Sequence, residues 1–503
     1  MKSLIGRACL ILSCFCLAVV LLAGIGSAST FVSGPVSGRW TTSGSPYVAT
    51  ANLQVLVGQS LEILPGVDVL FLGPYQFIVN GTLDAHGAAG DSITFGPYSG
   101  PSSPWCGIRF IHSDAGCVLS VCRLRDTSVE GMAHDAGCGS AIYSDSSSPL
   151  VQHCRFSNCQ SAMGNYELGY GGGGGGLCGY QTNIVLRDNR FLRCHAHGMG
   201  GGINLYGSTA EVSTTQISAC SGFHYGGGIA STGGTVVLFD DLIVGNEVPD
   251  IGGGGVCIEG GRADMSFCTI ADNIGGSMIG GYGGGIVGSG ELVVRDCILW
   301  GNTATSGSQV YPDGLPLSSC DVQGGYSGPG NFDEDPLFVH QSPTDTRLKY
   351  FLSSTLSGQP ADSPCIDRAD CTAQQAGLDA FSTRTDLYPD EGVADLGFHL
   401  GAATSADVAA LQPTGAGRLR VSPNPLSGST VISMSHGFLP RGSIRIIDAA
   451  GRAVRTLTIP AGTSRVLWDG RDDAGRHAAP GIYMMRLEGE GRVAAAGRVT
   501  VCR

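Results

Sequence analysis

Through the middle of the chain, apolar positions come in short bursts held between glycines, and the bursts keep a phase. A glycine pair followed by one apolar residue recurs at Gly175-Gly176-Leu177, Gly201-Gly202-Ile203, Gly227-Gly228-Ile229, Gly254-Gly255-Val256 and Gly284-Gly285-Ile286, at spacings of 26, 26, 27 and 30 residues. About 14 residues after each stands a second apolar anchor: Phe191, Ile217, Ile243, Ile270 and Leu299. Three positions further on come Cys194, Cys220, Asn246, Asn273 and Asn302, and an earlier copy reads Ile142, Phe156, Cys159. Two positions before the anchor stand Cys154, Asn189, Thr215, Asp241, Cys268 and Cys297. Between these marks lie β-branched runs such as Thr235-Val236-Val237-Leu238 and Leu292-Val293-Val294. The pattern predicts two or three short strands per unit, separated by glycine-rich turns.

A period of this length without helical patterning means a solenoid or a propeller. A propeller blade needs four strands and about 40 residues, so the shorter unit predicts a solenoid of parallel strands. Identical positions then stack from one turn to the next, and an inward Asn, Thr or Cys builds a column at a corner. Cys194, Cys220, Asn246, Asn273 and Asn302 are expected to form one such column, and Cys154, Cys268 and Cys297 belong to a second. The thiols read either as small buried side chains exchanging with Asn and Thr or as cross-links between turns. Glycine at the corners supplies positive φ and lets neighbouring turns approach closely.

Upstream, residues 52–81 alternate apolar and polar positions around a Pro65-Gly66 turn, and Trp105-Cys106-Gly107-Ile108-Arg109-Phe110 reads as the start of a further turn. The GGGI and [FI]xx[NC] pattern resembles the right-handed parallel β-helix superfamily, the pectate-lyase-like fold. It is closest to the branch with GGAI and FxxN repeats, the polymorphic outer-membrane-protein type. The resemblance covers roughly residues 50–340 and implies fold rather than function, because lyases, hydrolases and adhesins share this solenoid. The run SCDVQGGYSGPGNFDEDPLF from Ser319, followed by Ser363-Pro364-Cys365-Ile366-Asp367, resembles a terminal segment of exported β-helix proteins. It is expected to close the open end of the solenoid, with Cys365 and Cys371 placed for a local disulfide. Residues 342–414 otherwise read as loop, ending in a linker at Leu411-Gln412-Pro413-Thr414-Gly415.

The tail changes character. Strands alternate with Asp448-Ala449-Ala450-Gly451 and Asp472-Asp473-Ala474-Gly475 turns, which predicts a small antiparallel β-sandwich. Ser422-Pro423-Asn424-Pro425, Trp468-Asp469-Gly470 and Pro480-Gly481-Ile482-Tyr483 resemble the Ig-like domain of flagellar hook-capping proteins and, equally, type IX secretion sorting domains. The resemblance implies a sorting or attachment role, although the lysine-rich finish of many sorting tails is absent. The expected organisation is all-β: signal peptide 1–28, parallel β-helix 29–340, terminal segment and linker 341–414, and Ig-like sandwich 415–503.

Composition sharpens this picture. Glycine supplies 80 of 503 residues and charged residues only 14%, against average usages of about 7% and about a quarter. With 23 prolines and no three-residue glycine period the chain is not collagen, and with 42% hydrophobic residues it is not disordered. The formal net charge is −13, yet Arg418 to Arg503 holds 13 arginines against six acids, so the body is the acidic part. That sign opposes nucleic-acid binding. The basic tail suits an anionic cell surface.

Lys2 and Arg7 precede an apolar run from Ala8 to Leu22, and Gly26-Ser27-Ala28 supplies small residues, the pattern of a bacterial Sec-type signal peptide cleaved after Ala28. That run, of about 15 residues, is shorter than the ~20 needed to span a bilayer. The product is therefore expected to be secreted or held at the outer cell surface, monomeric, and without a transmembrane segment after cleavage.

Candidate chemistry is sparse. Asp240 and Asp241 are the best carboxylate pair for glycoside hydrolysis, but adjacent strand residues point to opposite faces, and Asp241 occupies a column position. Beyond the leader Lys349 is the only lysine, so a lyase base would have to be an arginine, of which Arg187, Arg190 and Arg193 are the nearest group. His195 and His197 are spaced to share a face, with no third metal ligand at matching spacing. Asp469 to Gly475, including Asp473, loosely resembles a Ca²⁺ loop but lacks the bidentate Glu, so Ca²⁺ is the only cofactor with any footing. The run Gly171 to Gly176 lacks the Lys-Ser/Thr of a phosphate loop. The expectation is a binding and structural module contacting extended polysaccharide or another cell-envelope component through Tyr206, His224, Tyr225 and Tyr282, with the secretion machinery engaging the tail. The alternative is a lyase or hydrolase acting on an acidic polysaccharide.

Overall fold

The computed structural model describes residues 29–129, 139–162, 173–276, 280–340, 345–401 and, in the C-terminal part, most of 417–501. The expected signal peptide, the 411–415 linker, Pro423 to Pro425, the Asp448 to Gly451 turn and Gly171-Gly172 lie outside the described residues. Two compact units are present, Met1–Ala406 and Asp407–Arg503. Among the described residues no helix is long and apolar enough to cross a membrane.

The first unit is a solenoid. One coil runs through strands Leu177–Tyr180, Asn183–Arg187, Arg190–Leu192 and His195–Ala196. The next repeats them as Ile203–Tyr206, Thr209–Ser213, Gln216–Ser218 and Ser221–Gly222. Each strand pairs in parallel with its copy, giving three long faces and a short fourth. The residues after the glycine pairs stack on the first face as Leu177, Ile203, Ile229, Val256 and Ile286. The anchors stack on the third as Phe156, Phe191, Ile217, Ile243, Ile270 and Leu299. The second face is a single run of 11 strands, and its inward row includes Leu186, Val212, Leu238, Met265 and Val294. These rows are buried and merge into one continuous core, with like side chains meeting like; the Phe156 and Phe191 rings lie 4.4 Å apart and nearly parallel.

Glycine is required at one corner and dispensable at another. Where the chain enters the first face, Gly200 takes φ 65°. Further along, Gly228 leaves no room for a side chain, since a Cβ there would stand 2.6 Å from the Gly255 carbonyl oxygen. Between the second and third faces the chain also turns through positive φ, but on non-glycine residues: Val121, His153, Asp188, Thr214, Asp240, Phe267, Asp296 and Ser319, with φ from 49° to 57°. Each amide at this corner is satisfied by the neighbouring coil, as Asp188 donates to Ser213 O and Asp240 to Ser266 O. The coil above thus holds a left-handed conformation that costs an isolated L-residue about 1–2 kcal/mol.

The terminal segment departs from expectation. Residues 324–332 do follow the last coil, with Phe332 bridging to Asp321. Residues 345–401, however, form a strap along the flank. Asp345 pairs with Arg190, the Tyr350 hydroxyl donates to Asp272, Asp370 N–H donates to Asp296 and Phe398 N–H to the Thr269 hydroxyl. The reason lies in the third face, where the outward side chains Leu242, Val244, Ala271 and Ile298 are apolar and are buried beneath it. Phe239 and Phe267 pack against Ala373, Leu378 and Ala394 of the strap in the same way.

The second unit contains two sheets linked through strand Gly417–Ser422. Among its described residues the strand pairings are antiparallel except for the parallel contact of Gly417–Ser422 with Arg492–Val501, beside which Leu426 bridges Val501 in parallel. Trp468 and Tyr483 meet edge to face in its core, and the Tyr483 hydroxyl donates to Ala479 O.

Candidate functional site

The inward polar residues form hydrogen-bonded columns. After the third-face anchors, Asn246 Oδ1 accepts from Cys220 N–H at 2.9 Å, Asn273 Oδ1 from Asn246 N–H at 2.9 Å and Asn302 Oδ1 from Asn273 N–H at 3.0 Å. Their amide groups donate onward to Ile217 O, Ile243 O and Ile270 O. Before the anchors, Asn189 Oδ1 accepts from Cys154 N–H, Thr215 Oγ1 from Asn189 N–H, Asp241 Oδ1 from Thr215 N–H and Cys297 Sγ from Cys268 N–H. Cys194 sits in the first column, its thiol directed to Leu192 O. The described thiols are unbonded. Burial together with neighbouring thiols pushes Cys194 and Cys297 well above the ordinary thiol range. Nor are Cys365 and Cys371 joined: Cys365 is wholly buried with its thiol on Asp321, whereas Cys371 packs near Ala373 in a different cluster.

Asp240 and Asp241 diverge as strand geometry demands, and neither reaches solvent. Asp241 faces inward as a column member, and burial, with Asp240 beside it, raises its carboxyl pKa well above the usual range. Asp240 faces out under the strap, where His399 is fully buried with Nδ1 at 3.3 Å from Asp240 Oδ1 and Nε2 at 3.1 Å from Asp390 Oδ2. Asp390 in turn accepts from Asp395 N–H, and Asp395 from Asp367 N–H and the Thr383 hydroxyl. Burial lifts Asp240 to about 6 against the opposing pull of His399. Burial alone would depress His399, but Asp240 and Asp390 outweigh it and carry the imidazole to about 10. Near neutral pH the arrangement is an imidazolium between two carboxylates. A polymer has no access to it: of the candidate carboxylate pair, Asp240 is the pin of the strap and Asp241 belongs to the inward column.

The remaining candidates are dispersed. Arg187 is exposed and pairs with Glu211 at 3.1 Å. Arg190 is held by Asp345 and Gln216, and Arg193 donates to Asn158. The His195 and His197 rings meet edge to face with centroids 4.9 Å apart, and His195 Nδ1 is 2.7 Å from the Ser221 hydroxyl. Burial and the neighbouring His197 both lower the His195 pKa. Among the described residues no group of three or more His, Cys, Asp or Glu side chains is placed to hold a metal. In the second unit Asp469 accepts from Arg471 N–H, Asp473 accepts from Thr456 N–H, and Asp472 between them takes the Ala474 and Arg476 amides. These carboxylates stitch a hairpin rather than converge on a cation.

His224, Tyr225 and Tyr282 lie along the corner that opens the first face, whereas Tyr206 ends the first-face strand Ile203–Tyr206. A bridge chain runs Met199, Tyr225, Gly252, Tyr282, Ser306 from coil to coil. The Tyr206 hydroxyl points to Met199 Sδ at 3.8 Å, and His224 Nδ1 lies 2.5 Å from Asp250 Oδ2. Burial first, then the Glu259 charge, raises the Tyr225 pKa. Two further members escaped the sequence reading. Tyr180 stacks in register under Tyr206, and the Tyr311 ring lies 4.4 Å from Tyr282. Tyr311 was missed because its coil enters through Gly307-Ser308-Gln309-Val310 and lacks the glycine pair.

Residues 102–248 match the family model described as right handed beta helix region, and residues 430–492 match that of the FlgD Ig-like domain. No curated protein and no solved structure matches the chain.

Proposed function

We propose that this β-helix protein with an Ig-like tail is an exported binding scaffold, whose tyrosine edge contacts an extended polysaccharide of the cell envelope or its surroundings. The observation that carries the reading is the bridge chain that aligns Tyr225 with Tyr282 two coils on, with the Tyr311 ring stacked on Tyr282 and the Tyr206 hydroxyl reaching Met199 at the start of the same chain. Phenol rings offer sugars an apolar face with a polar tip, and a rigid row of them binds with little ordering cost. The C-terminal unit serves secretion or attachment, and its arginine excess favours an anionic surface. Binding is preferred to hydrolysis because both candidate carboxylates are buried, Asp240 under the strap and Asp241 inside the solenoid. The test is a panel of neutral and acidic polysaccharides offered to the full chain, scored for retention and for product. Retention without new reducing ends or unsaturated products supports the reading; turnover abolished by a surface substitution overturns it.

A further inference from the structure

The two ends of the solenoid are finished differently. At the last coil the segment Gly324 to Phe332 lies across the edge: Ser319 N–H donates to Pro329 O, Val322 N–H to Phe332 O and Cys320 N–H to Asn331 Oδ1. At the first coil, strands Thr30–Pro35 and Gly38–Trp40 pair only with the coil that follows, through Tyr47–Val55 and Ser60–Ile63. Among the described residues nothing pairs with their other edge. Trp40, stacked on Tyr47 at 4.4 Å, closes the core at this end, so main chain and its rim are what stay open. An unpaired strand edge is a template for another strand.

The rim is apolar. Thr30–Val32 belongs to the third face, where Val32 packs on the core and Phe31 points out, 64% exposed. At the corner between the first and second faces, the half-buried Val36 is joined by Leu56 and by Val57, which is 72% exposed. Among the described residues only Leu356 is a more exposed large apolar side chain than Phe31 and Val57. Charge is missing as well. From Ser29 to Leu61 the one charged residue is Arg39, and it is paired with Glu62 at 2.9 Å. Edges are commonly blunted with charge, lysine above all, whereas this one has only Gly34 and Pro35. On an acidic body, such a neutral end is where two copies meet with least repulsion.

We infer that two copies of this chain join end to end through the first coil, in place of the monomer expected from the sequence. The contact is isologous. A two-fold axis through Phe31 and the opposite corner sets Thr30–Val32 antiparallel to its own copy, brings Phe31 against the partner's Phe31, and closes the Val36, Leu56 and Val57 rim on itself. The chain's own later segments are committed elsewhere, to the last coil and to the third face. The inference rests on the proposed export with removal of residues 1–28, which leaves Ser29 alone ahead of the edge strand. It is independent of the tyrosine edge and its ligand.

The exported full chain, its N-terminus fixed by mass, is measured by sedimentation velocity from about 1 to about 100 μM. The wild type, F31E/V57E and L356E are compared, each checked by its thermal melt. A dimer is expected for the wild type and for L356E, which alters an exposed apolar position on the strap. In F31E/V57E its Kd is expected to weaken about a hundredfold or more, since like charges then face each other across the axis. Mild oxidation of F31C is expected to link the dimer through a disulfide, because the centre of a self-paired antiparallel strand faces its own copy. The wild type, whose Cys371 is partly exposed, serves as the control and is expected to stay unlinked. A trimmed wild type that stays monomeric overturns the inference alone. A dimer that survives F31E/V57E, one that F31C does not cross-link, or one that L356E dissociates lies on another face and overturns it too. Retention of residues 1–28, read from the mass, defeats the export reading and the inference together, since the end then has chain of its own to cover it.

Discussion

His399 donates its backbone N–H to Asp240 and also sets its ring against the same carboxylate, which joins residues 159 positions apart at a point with no access to water. The contact ties the end of the strap to a solenoid corner. Removing one member of a buried pair leaves the other charged and unsatisfied, a loss of about 3–5 kcal/mol. Asp240→Ala is therefore expected to lower the unfolding free energy of the first unit, read from urea denaturation, by an amount in that range, whereas Arg187→Gln at an exposed pair is expected to cost under about 1 kcal/mol.

The same pin responds to pH. The folded His399 pKa of about 10 lies above its ordinary 6.5, so its contribution is complete below about 6.5 and is lost as pH rises towards 10. Asp240, raised to about 6 by burial, works in a lower window: its contribution is complete near its ordinary 3.8 and is lost by about 6. Amide exchange in residues 390–399, corrected for intrinsic rate, should therefore accelerate between pH 7 and pH 10 in the wild type. In His399→Gln it should be fast already at pH 7. Equal protection at both pH values in the wild type would show that the pair does not hold the strap.

In the inward column the outcome depends on what replaces the amide. Asn273→Ala strands the Asn246 N–H and the Ile243 carbonyl, at about 1–3 kcal/mol for each buried group left unsatisfied. Asn246→Cys should be milder, because Cys220 occupies the equivalent place one coil earlier and directs its thiol to Phe191 O. Thermal melts of the two variants rank them directly.

Two glycines separate space from backbone angle. Gly245 has φ 63° with nothing near its absent Cβ, and Asn158 holds φ 54° at the matching corner, so Gly245→Asn is expected to be nearly neutral. Gly228→Ala meets backbone oxygen and should cost about 1–3 kcal/mol through a forced shift of two coils.

Thiol labelling distinguishes burial from bonding. Cys371 is the only partly exposed cysteine among those described. Burial, with Asp296 and Asp370 nearby, raises its pKa, so it should react slowly at neutral pH and faster as pH rises. Peptide mapping is expected to find label on Cys371 before Cys194, Cys220, Cys268 or Cys297, and on those four only after unfolding.

The solenoid was legible because its repeat is written in residues that nothing else explains. A glycine pair, an anchor and a column residue keep phase over five coils, and each of those positions is dictated by contact with its own copy. The strap was not legible. Its partners Asp240, Thr269, Asp272 and Asp296 sit at different positions of three adjacent coils, and His399, Phe398, Tyr350 and Asp370 follow no period at all. The pair Asp240-Asp241 illustrates the limit: strand alternation separates the two side chains, but only the fold shows that the outward one is covered.

The corner between the second and third faces has a further meaning. Eight coils place Val121, His153, Asp188, Thr214, Asp240, Phe267, Asp296 and Ser319 at one backbone geometry, so the turn itself is made by the main chain and leaves the side chain to other uses. Such a corner is a row of interchangeable sockets. Where the strap does not cover it, residues set into this corner can be exchanged one coil at a time while the backbone turn is kept, and the molecule can acquire a new partner by editing a column rather than by reshaping a loop, as it has for the strap at Asp240, Phe267 and Asp296.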